Sequence, residues 1–527
     1  MIRPAAIFKN GMVLQRNSVV RIFGESDANT IEVEFCGKKY SAMCRNNRWQ
    51  MDLPTDDSSE KLSLKITACD HRGECAESIM ISDILLGEVW LAGGQSNMEL
   101  ELKNSLDGER IADESDYPSI RFYNVPKISV IDDALTQAEE SAGWKPAVGA
   151  LCKEVSAVAY YFALEMYEKL KVPIGIIGCY FGGTSATCWM DEASAKTVTE
   201  VSGYIEAWRE AVNNTTDHEY DLKMAEYNMR YNTWNQKVEE LRSKKPNITW
   251  NEINSIAGQC PWPQPRGRRS PFRPFGLYES MLKRIIPYRI KGIIYYQGEE
   301  DVDKADYYCK LNSAVIRRWR EDFGEVGKES ELPFYITQLP MYDTELNGAD
   351  KSWCILRQQQ ELCSIVNENV HITVLIDYGE FDNIHPINKK IPGQRIAYRV
   401  LKSTYGMKDI PVHMKLEHVS FEGNLCTLSF SDTYGAICYR KSDGIELTAE
   451  SGERIPLQND NCEEVLGFDV SCDGEKFFAP EVAVEGTKII LSTNDAKAIK
   501  RVRYGWSNYG VANLYNGRGM PLAPFNV

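Results

Sequence analysis

The chain of 527 residues is short of the features that mark several large classes of protein. It has no apolar run of the roughly 20 residues that a membrane-spanning helix needs. Its 60 basic residues stand against 75 acidic ones, for a formal charge of −15. Because an acidic protein is repelled by phosphate-rich surfaces, we expect neither nucleic acid nor a membrane as its partner.

The amino-terminal residues 1–10 also lack the basic and apolar segments of a secretory leader. This favours a cytoplasmic protein, although a secreted chain whose leader has been removed would look the same. The 15 cysteines contain no Cys-x-x-Cys pair, and the six histidines are scattered. We therefore expect free buried thiols, with disulfides as the less favoured alternative, and neither a metal nor an organic cofactor.

Two kinds of hydrophobic pattern divide the chain. Residues 1–82 and 406–500 alternate polar and apolar side chains in short runs, which predicts β-rich domains. Residues 83–405 carry near-continuous apolar runs separated by helical segments, which predicts an α/β domain with a parallel sheet covered on both faces. Within this domain we expect a helical insertion over 192–255. Residues 501–527 would form a tail that packs on the core.

The most informative stretch is Glu-Val-Trp-Leu-Ala-Gly-Gly-Gln-Ser-Asn-Met at 88–98. It predicts a buried strand that ends in two glycines, followed by Ser96 at the start of a helix. Such a serine presents its hydroxyl beside free backbone N–H groups, so Ser96 is a candidate nucleophile. A simple helix N-cap is the structural alternative. The final glycine of a Gly-x-Ser-x-Gly elbow is missing, which argues against an α/β-hydrolase.

A serine nucleophile needs a base, and the base needs a group that orients it. His385 follows an apolar run in Asp-Asn-Ile-His-Pro at 382–386, where Asp382 and His385 can project from one turn. Asp377 is a competing acid further from the histidine. Ser185, in Gly-Gly-Thr-Ser at 182–185, is a rival nucleophile whose surroundings suit an anion-binding turn.

Two further stretches can stabilise an oxyanion. Gly183 follows the apolar run at 174–177, and a glycine there would let a backbone N–H approach the oxyanion closely. Gln297 follows the run at 292–296, where its side-chain amide could donate a second hydrogen bond. Removal of one such donor typically slows an enzyme about 10²–10³-fold.

Four blocks in this order resemble the SGNH hydrolase superfamily and, more closely, the sialate O-acetylesterase family of carbohydrate esterases. They are Gly-Gln-Ser-Asn-Met at 94–98, Gly-Gly-Thr at 182–184, Tyr-Gln-Gly-Glu at 296–299 and Asp-x-x-His-Pro at 382–386. Residues 10–16 and 502–525 are similar to the two ends of the family, so the resemblance covers nearly the whole chain. It implies an α/β fold with a three-layer α/β/α core of SGNH type.

The resemblance also implies the chemistry and the site. The enzyme would remove acetyl groups from sugar hydroxyls through an acetyl-serine intermediate, with Ser96 as nucleophile, His385 as base and then acid, and Asp382 as its orienting partner. The backbone N–H groups of Ser96 and Gly183 and the side chain of Gln297 would form the oxyanion hole. Candidates for sugar binding are Gln95, Asn97 and Glu299, to which local charge, and not the resemblance, adds Arg268 and Arg269.

The expected substrate is an O-acetylated sialic acid. The chain departs from the family where Glu300 and Asp301 follow Gln-Gly-Glu, and where Glu279 follows Leu-Tyr. These extra carboxylates would repel an anionic sugar unless a loop with arginines at 266, 268, 269 and 273 offsets them. Acetylated xylo-oligosaccharides or other plant oligosaccharides are the alternative substrates. An inert sugar-binding protein on a hydrolase scaffold is the alternative from a different class.

Overall fold

The computed structural model describes residues 1–245, 248–325, 327–343, 350–439, 447–448, 454–455, 464–494 and 497–527. The amino-terminal region is built mostly from antiparallel strands in which alternate side chains are buried, as in Ile31, Val33 and Phe35 of the fourth strand, while its second strand pairs in parallel with the eighth. The strands are β1 (Ile2–Pro4), β2 (Val13–Gln15), β3 (Val19–Ser26), β4 (Thr30–Phe35), β5 (Lys38–Met43), β6 (Arg48–Pro54), β7 (Leu62–Cys69) and β8 (Cys75–Gly94).

β8 joins this region to the centre of the molecule. Its first part pairs with β7, and its last seven residues, Glu88 to Gly94, pair in parallel with a strand of the central sheet. The domain boundary predicted at residue 82 therefore falls inside one continuous strand, because a strand with two sets of neighbours gives no break in hydrophobic pattern.

The prediction of free thiols is wrong for one pair of cysteines. Cys69 and Cys75 form a disulfide, whereas the other described cysteines are free thiols. The pair lies at directly opposite positions of the β7–β8 hairpin, with Cα atoms 4.1 Å apart. Directly opposed residues of antiparallel strands are close enough for a disulfide, which the spacing along the chain alone did not reveal.

The central sheet has the order β10-β9-β11-β8-β12-β13-β14. Its further strands are β9 (Asp116–Asn124), β10 (Lys145–Val148), β11 (Ile174–Tyr180), β12 (Gly292–Tyr296), β13 (Phe334–Thr337) and β14 (Val370–Thr373). All neighbours on this path are parallel except β10, which pairs antiparallel with β9. The sheet is therefore mixed, with the predicted parallel strands at its centre.

Helices cover both faces of this sheet. Trp90 of β8 packs against Phe162 on one side, with ring centroids 5.4 Å apart, while its neighbour Leu91 joins the core that contains Trp319 on the other side. The helices are α1 (Ser96–Glu99), α2 (Gly108–Glu114), α3 (Asp133–Ser141), α4 (Ala157–Leu170), α5 (Glu192–Ala195), α6 (Ser202–Asn213), α7 (Asp217–Lys244), α8 (Trp250–Ala257), α9 (Gly276–Ser280), α10 (Tyr308–Phe323), α11 (Ser352–Val366) and α12 (Lys390–Ser403). No helix among the described residues is long and apolar enough to cross a membrane.

Local sequence signals explain where several helices begin. Ser156 caps α4 by accepting from the N–H of Ala159, and Thr216 caps α7 in a reciprocal box with Glu219. Helices α5 to α8 occupy the segment in which a helical insertion was predicted. Short 3₁₀ turns lie between the helices at Leu102–Asn104, Gly149–Cys152, Ala186–Trp189, Thr199–Val201, Leu282–Arg284, Glu299–Tyr307 and Glu329–Glu331.

The carboxyl-terminal region is again formed by strands. They are β15 (Lys415–Glu422), β16 (Leu425–Ser431), β17 (Ile437–Tyr439), β18 (Leu447–Thr448), β19 (Arg454–Ile455), β20 (Phe468–Ser471), β21 (Glu481–Glu485), β22 (Lys488–Ser492), β23 (Arg501–Tyr504), β24 (Leu514–Asn516) and β25 (Phe525–Asn526). The predicted tail is part of this region, since β23 pairs with β20 and β24 with β17. It also contacts the core, because buried Arg357 of α11 donates to the carbonyls of Gly505 and Asn508.

Candidate active site

The strand β8 delivers Ser96 to the carboxyl edge of the central sheet. Gly94, its last residue, has φ +131°, and a Cβ there would lie 2.0 Å from the carbonyl oxygen of Tyr296 in β12. Only glycine fits such a position. The chain then turns at Gln95, and α1 begins with Ser96. The predicted glycine pair thus brings the serine out between β11 and β12.

Ser96 and His385 are in direct contact. The Nε2 atom of His385 lies 2.7 Å from Oγ of Ser96, although the two residues are 289 positions apart. Burial lowers the pKa of His385 to about 4, and the ammonium of Lys389 acts in the same direction. The imidazole is therefore neutral at ordinary pH, which is the protonation state that can accept a proton from a serine hydroxyl.

The turn that carries His385 is held by the helical insertion. Oδ2 of Asp382 accepts from the backbone N–H of Asn251 in α8 at 2.8 Å. Oδ1 of Asn383 accepts both from the N–H of His385 and from the indole of Trp250. Within the described part of the chain no hydrogen bond joins Asp382 to the imidazole. The orienting role of Asp382 therefore stays a prediction.

Two other acids near this turn have structural partners. Asp377 forms a bidentate ion pair with Arg395 of α12, at 2.6 and 2.7 Å, so the rival acid serves to fasten the loop after β14. Glu380 accepts from the side chain of Asn383 and from the N–H of Ile387. No pattern in the sequence points to Glu380, because its partners are set by the shape of the turn.

Asn97 and Glu299, both predicted to bind sugar, belong to a buried network behind the nucleophile, and Glu299 also lines a cavity beside the glycine turn. Asn97 is fully buried and donates to Oε1 of Glu299 at 2.5 Å and to the carbonyl of Ile384 at 2.9 Å. Its own oxygen accepts from Lys389. Since both polar atoms of Asn97 are engaged, its predicted contact with sugar is not supported.

The two charged members of this network are strongly perturbed. Burial lowers the pKa of Lys389 to about 7 against the opposing charges of Glu299 and Glu380. Burial also raises the pKa of Glu299. A network of this kind ties the base of α1 to the loop of His385 through side chains that water does not reach.

Gln95 is also buried and structural. Its side-chain oxygen accepts from the backbone N–H groups of Gly298 and Glu300, at 3.3 and 3.2 Å. Its backbone N–H donates to the carbonyl of Tyr296. The residue therefore joins the ends of β8 and β12, and its predicted contact with sugar is not supported.

The predicted oxyanion groups fall into two cases. The glycine turn after β11 lies beside the nucleophile, since a Cβ at Gly182 would be 3.3 Å from Cβ of Ser96, and Gly183 has φ +69°. Gln297, by contrast, is fully buried, and its amide donates to the carbonyl of Thr184 and to Asp301. Both amide hydrogens are used, so Gln297 has none to offer an oxyanion in this arrangement.

Asp301 explains the positions of Gln297 and of Ser185. This fully buried carboxylate accepts from the hydroxyl of Ser185 at 2.6 Å and from the N–H of Ala186 at 2.7 Å. It also lies 3.3 Å from the ammonium of Lys304. The rival nucleophile Ser185 is thus buried and donates its hydroxyl hydrogen to a carboxylate, so this hydroxyl is not exposed to a substrate.

The two arginines predicted to bind sugar form ion pairs with the insertion. Arg268 pairs with Asp217 and Arg269 with Asp221, both on α7. The prediction is not supported for either, because their charges are already neutralised by acids about 50 positions earlier in the chain. Among the described residues, the group Glu32, Cys69 and Cys75 is close enough to hold a metal, but its two cysteines form the disulfide.

A serine hydroxyl on a neutral, half-buried imidazole, beside a glycine turn at the edge of a parallel sheet, is the arrangement of a hydrolytic enzyme with a serine nucleophile. No protein-family model matches the chain. Sialate O-acetylesterase of Mus musculus is 24% identical over an alignment of 568 positions, which covers 99% of this chain and 94% of that protein. Sialate O-acetylesterase of Rattus norvegicus is 26% identical over 79% of this chain and 76% of its own length.

A solved structure agrees with these relatives. It is described as a novel carbohydrate acetylesterase from Xanthomonas citri, is 25% identical and has a TM-score of 0.73, with 100% of this chain and 99% of that one covered. The chain is therefore an enzyme of the carboxylic ester hydrolase class. More particularly, it resembles the sialate O-acetylesterases over nearly its whole length.

Proposed function

We propose that this enzyme removes O-acetyl groups from carbohydrates through an acetyl-serine intermediate on Ser96. The observation that carries the proposal is the 2.7 Å contact between Oγ of Ser96 and Nε2 of His385. His385 takes the hydroxyl proton as Ser96 attacks the acetyl carbon, and returns it to the departing sugar oxygen. Water then attacks the acetyl-serine with His385 again as base, which releases acetate and restores the serine.

The oxyanion of each step would be stabilised by backbone N–H groups of Ser96 and Gly183. The glycine turn lies against the side chain of Ser96, and Gly183 adopts the left-handed backbone that points such groups into a shared concavity. Asp382 is the proposed orienting acid. Its bond to Asn251 uses one of several lone pairs, so a second bond to the imidazole is compatible with its chemistry. The proposal also includes a core of the SGNH hydrolase type. The reaction steps given above require no metal or organic cofactor.

The proposed substrate is an O-acetylated sialic acid, which is what the names of the related esterases imply. A second candidate is a neutral acetylated oligosaccharide, and a specific observation favours it. Glu299, Glu300 and Asp303 line the cavity next to the glycine turn, and these carboxyl groups would disfavour an anionic sugar. Acetate release from O-acetylated sialic acid and from acetylated xylobiose, measured side by side, separates the two.

The test of the chemistry is hydrolysis of 4-nitrophenyl acetate by the wild-type protein, by Ser96→Ala and by Ser185→Ala, with the folding of each checked by circular dichroism. We expect the first variant to lose turnover and the second to keep it. Turnover that survives in Ser96→Ala would refute the proposed nucleophile. A wild-type protein that binds sugar but hydrolyses no acetate ester would instead be an inert binder.

A further inference from the structure

A cavity of about 300 Å³ adjoins the glycine turn that lies beside Ser96. Gly183 and Glu299 form the wall nearest the serine. Its other lining residues include Trp208 of α6 and, from the loop between α8 and α9, Trp262 and Arg266. The volume is at the small end of the range of about 300–1,000 Å³ for small-molecule pockets, a size that suits one or two sugar rings.

Trp262 gives this cavity an apolar surface close to the reacting atoms. A Cβ on Gly183 would lie 2.6 Å from the indole, so the ring rests directly on the glycine turn. Phe272 supports it edge-on at 5.0 Å between centroids, yet 46% of Trp262 remains exposed. A rigid and exposed indole beside a catalytic serine offers a surface on which the apolar face of a sugar ring can pack.

Two cations line the cavity, and they differ in their partners. Lys304 is paired with Asp303 at 2.6 Å and with Asp301 at 3.3 Å. Arg266 lies over the ring of Trp208 at 5.0 Å, and no carboxylate in the described part of the chain is within ion-pair distance of it. Its guanidinium donors are therefore available to a ligand, and the stacking on Trp208 limits their motion.

Two features of the acids on the wall reduce their opposition to this cation. Oε1 of Glu299 accepts from Asn97 and is directed into the buried network. Burial raises the pKa of Glu300 to about 7, with the charge of Asp301 acting in the same direction. Near neutral pH about half of the Glu300 side chains therefore carry no charge and can donate a hydrogen bond.

We propose that this cavity holds the sugar ring of the substrate and that Arg266 binds its carboxylate, which selects acidic acetylated sugars over neutral ones. The inference rests on the proposed esterase function and names its specificity residue. The sequence analysis named Arg266 as one of four arginines in a loop that could offset the carboxylates, but predicted sugar binding for Arg268 and Arg269. Arg266 precedes them by two and three positions and, unlike them, faces the cavity and lacks an acidic partner among the described residues.

The experiment measures kcat/KM on an O-acetylated sialic acid and on acetylated xylobiose for the wild type, Arg266→Ala, Arg266→Lys and Arg268→Ala. A charge-assisted bidentate contact corresponds to a loss of about 10- to 100-fold, so we expect the acidic-to-neutral ratio to fall by that factor in Arg266→Ala. Arg266→Lys should fall less, because it keeps the charge but not the planar fork. Arg268→Ala is the matched control and should keep the wild-type ratio.

The failures of the two proposals are distinguishable. A wild-type protein without turnover on any acetate ester would overturn the esterase function and this inference with it. Wild-type turnover with the same acidic-to-neutral ratio in Arg266→Ala would overturn the inference alone. So would a wild-type enzyme that hydrolyses the neutral sugar and not the acidic one, or an equal loss on both sugars in Arg266→Ala.

Discussion

Replacement of Asn97 by alanine should weaken the fold and the catalysis together. The side chain is fully buried and makes three hydrogen bonds, to Glu299, to the carbonyl of Ile384 and from Lys389. Alanine removes the partner of all three groups at once, and of these groups Lys389 is fully buried. Ile384 immediately precedes His385, so the same change frees the loop that holds the catalytic imidazole.

The magnitude follows from the number of stranded groups. A buried polar group without its partner costs about 1–3 kcal/mol, so three of them set a range of roughly 3–6 kcal/mol once relaxation is included. The upper end is limited because Lys389, whose pKa is about 7, can lose its proton instead of remaining charged. A displacement of about 1 Å in the imidazole should lower kcat by about 100-fold.

The assay combines urea unfolding followed by tryptophan fluorescence with turnover of 4-nitrophenyl acetate. Asn104→Ala is the matched control, because Asn104 is exposed and bonds only to the nearby Glu101. Its free energy of unfolding should stay within about 0.5 kcal/mol of the wild type. If Asn97→Ala unfolded with the same midpoint as Asn104→Ala and kept its kcat, the network would have neither of the roles assigned to it here.

Three further predictions concern the same site. Because the pKa of His385 is lowered to about 4, kcat/KM should stay level from pH 8 down to about pH 5 and fall only below that. Lys389→Met removes a charge that lowers this pKa, so the fall in kcat/KM should begin at a higher pH in that variant. A wild-type kcat/KM that already falls near the ordinary histidine pKa of about 6.5 would contradict this. Asp382→Asn should lower kcat by about 10²–10⁴. Glu380→Gln, which also replaces a carboxylate of this turn by an amide, should lower kcat far less. Equal losses of kcat in the two variants would show that Asp382 does not orient the imidazole. Gly94→Ala should not yield soluble enzyme, since its Cβ would lie 2.0 Å from a backbone oxygen of β12, and a variant with wild-type activity and melting temperature would show that the strand can shift.

The sequence was sufficient for those parts of the fold that depend on local pattern. The apolar runs within 88–98 and at 174–177 and 292–296 predicted β8, β11 and β12. The glycines before Ser96 and at 182–183 were informative because a turn against a neighbouring backbone tolerates no side chain. The motif blocks led to the pair of Ser96 and His385, which the structure brings into contact.

The hydrogen-bond and ion-pair partners of the side chains could not be predicted from the local sequence pattern. Gln297 was predicted to face an oxyanion, but Asp301 and Thr184 use both of its amide hydrogens. Arg268 and Arg269 were chosen for their charge, and only the packing of α7 shows that acids neutralise them. In each case the deciding group lies on another element, so the outcome depends on tertiary contacts.

The central claim is that Ser96 carries the acetyl group during turnover. Rapid acid quenching of the wild-type enzyme with 4-nitrophenyl acetate, followed by proteolysis and mass spectrometry, tests it directly. The account predicts a mass gain of one acetyl group on the peptide that contains Ser96, absent when Ser96→Ala is treated in the same way. An acetyl group found on Ser185 or any other residue of the turning-over enzyme, with Ser96 unmodified, would contradict it.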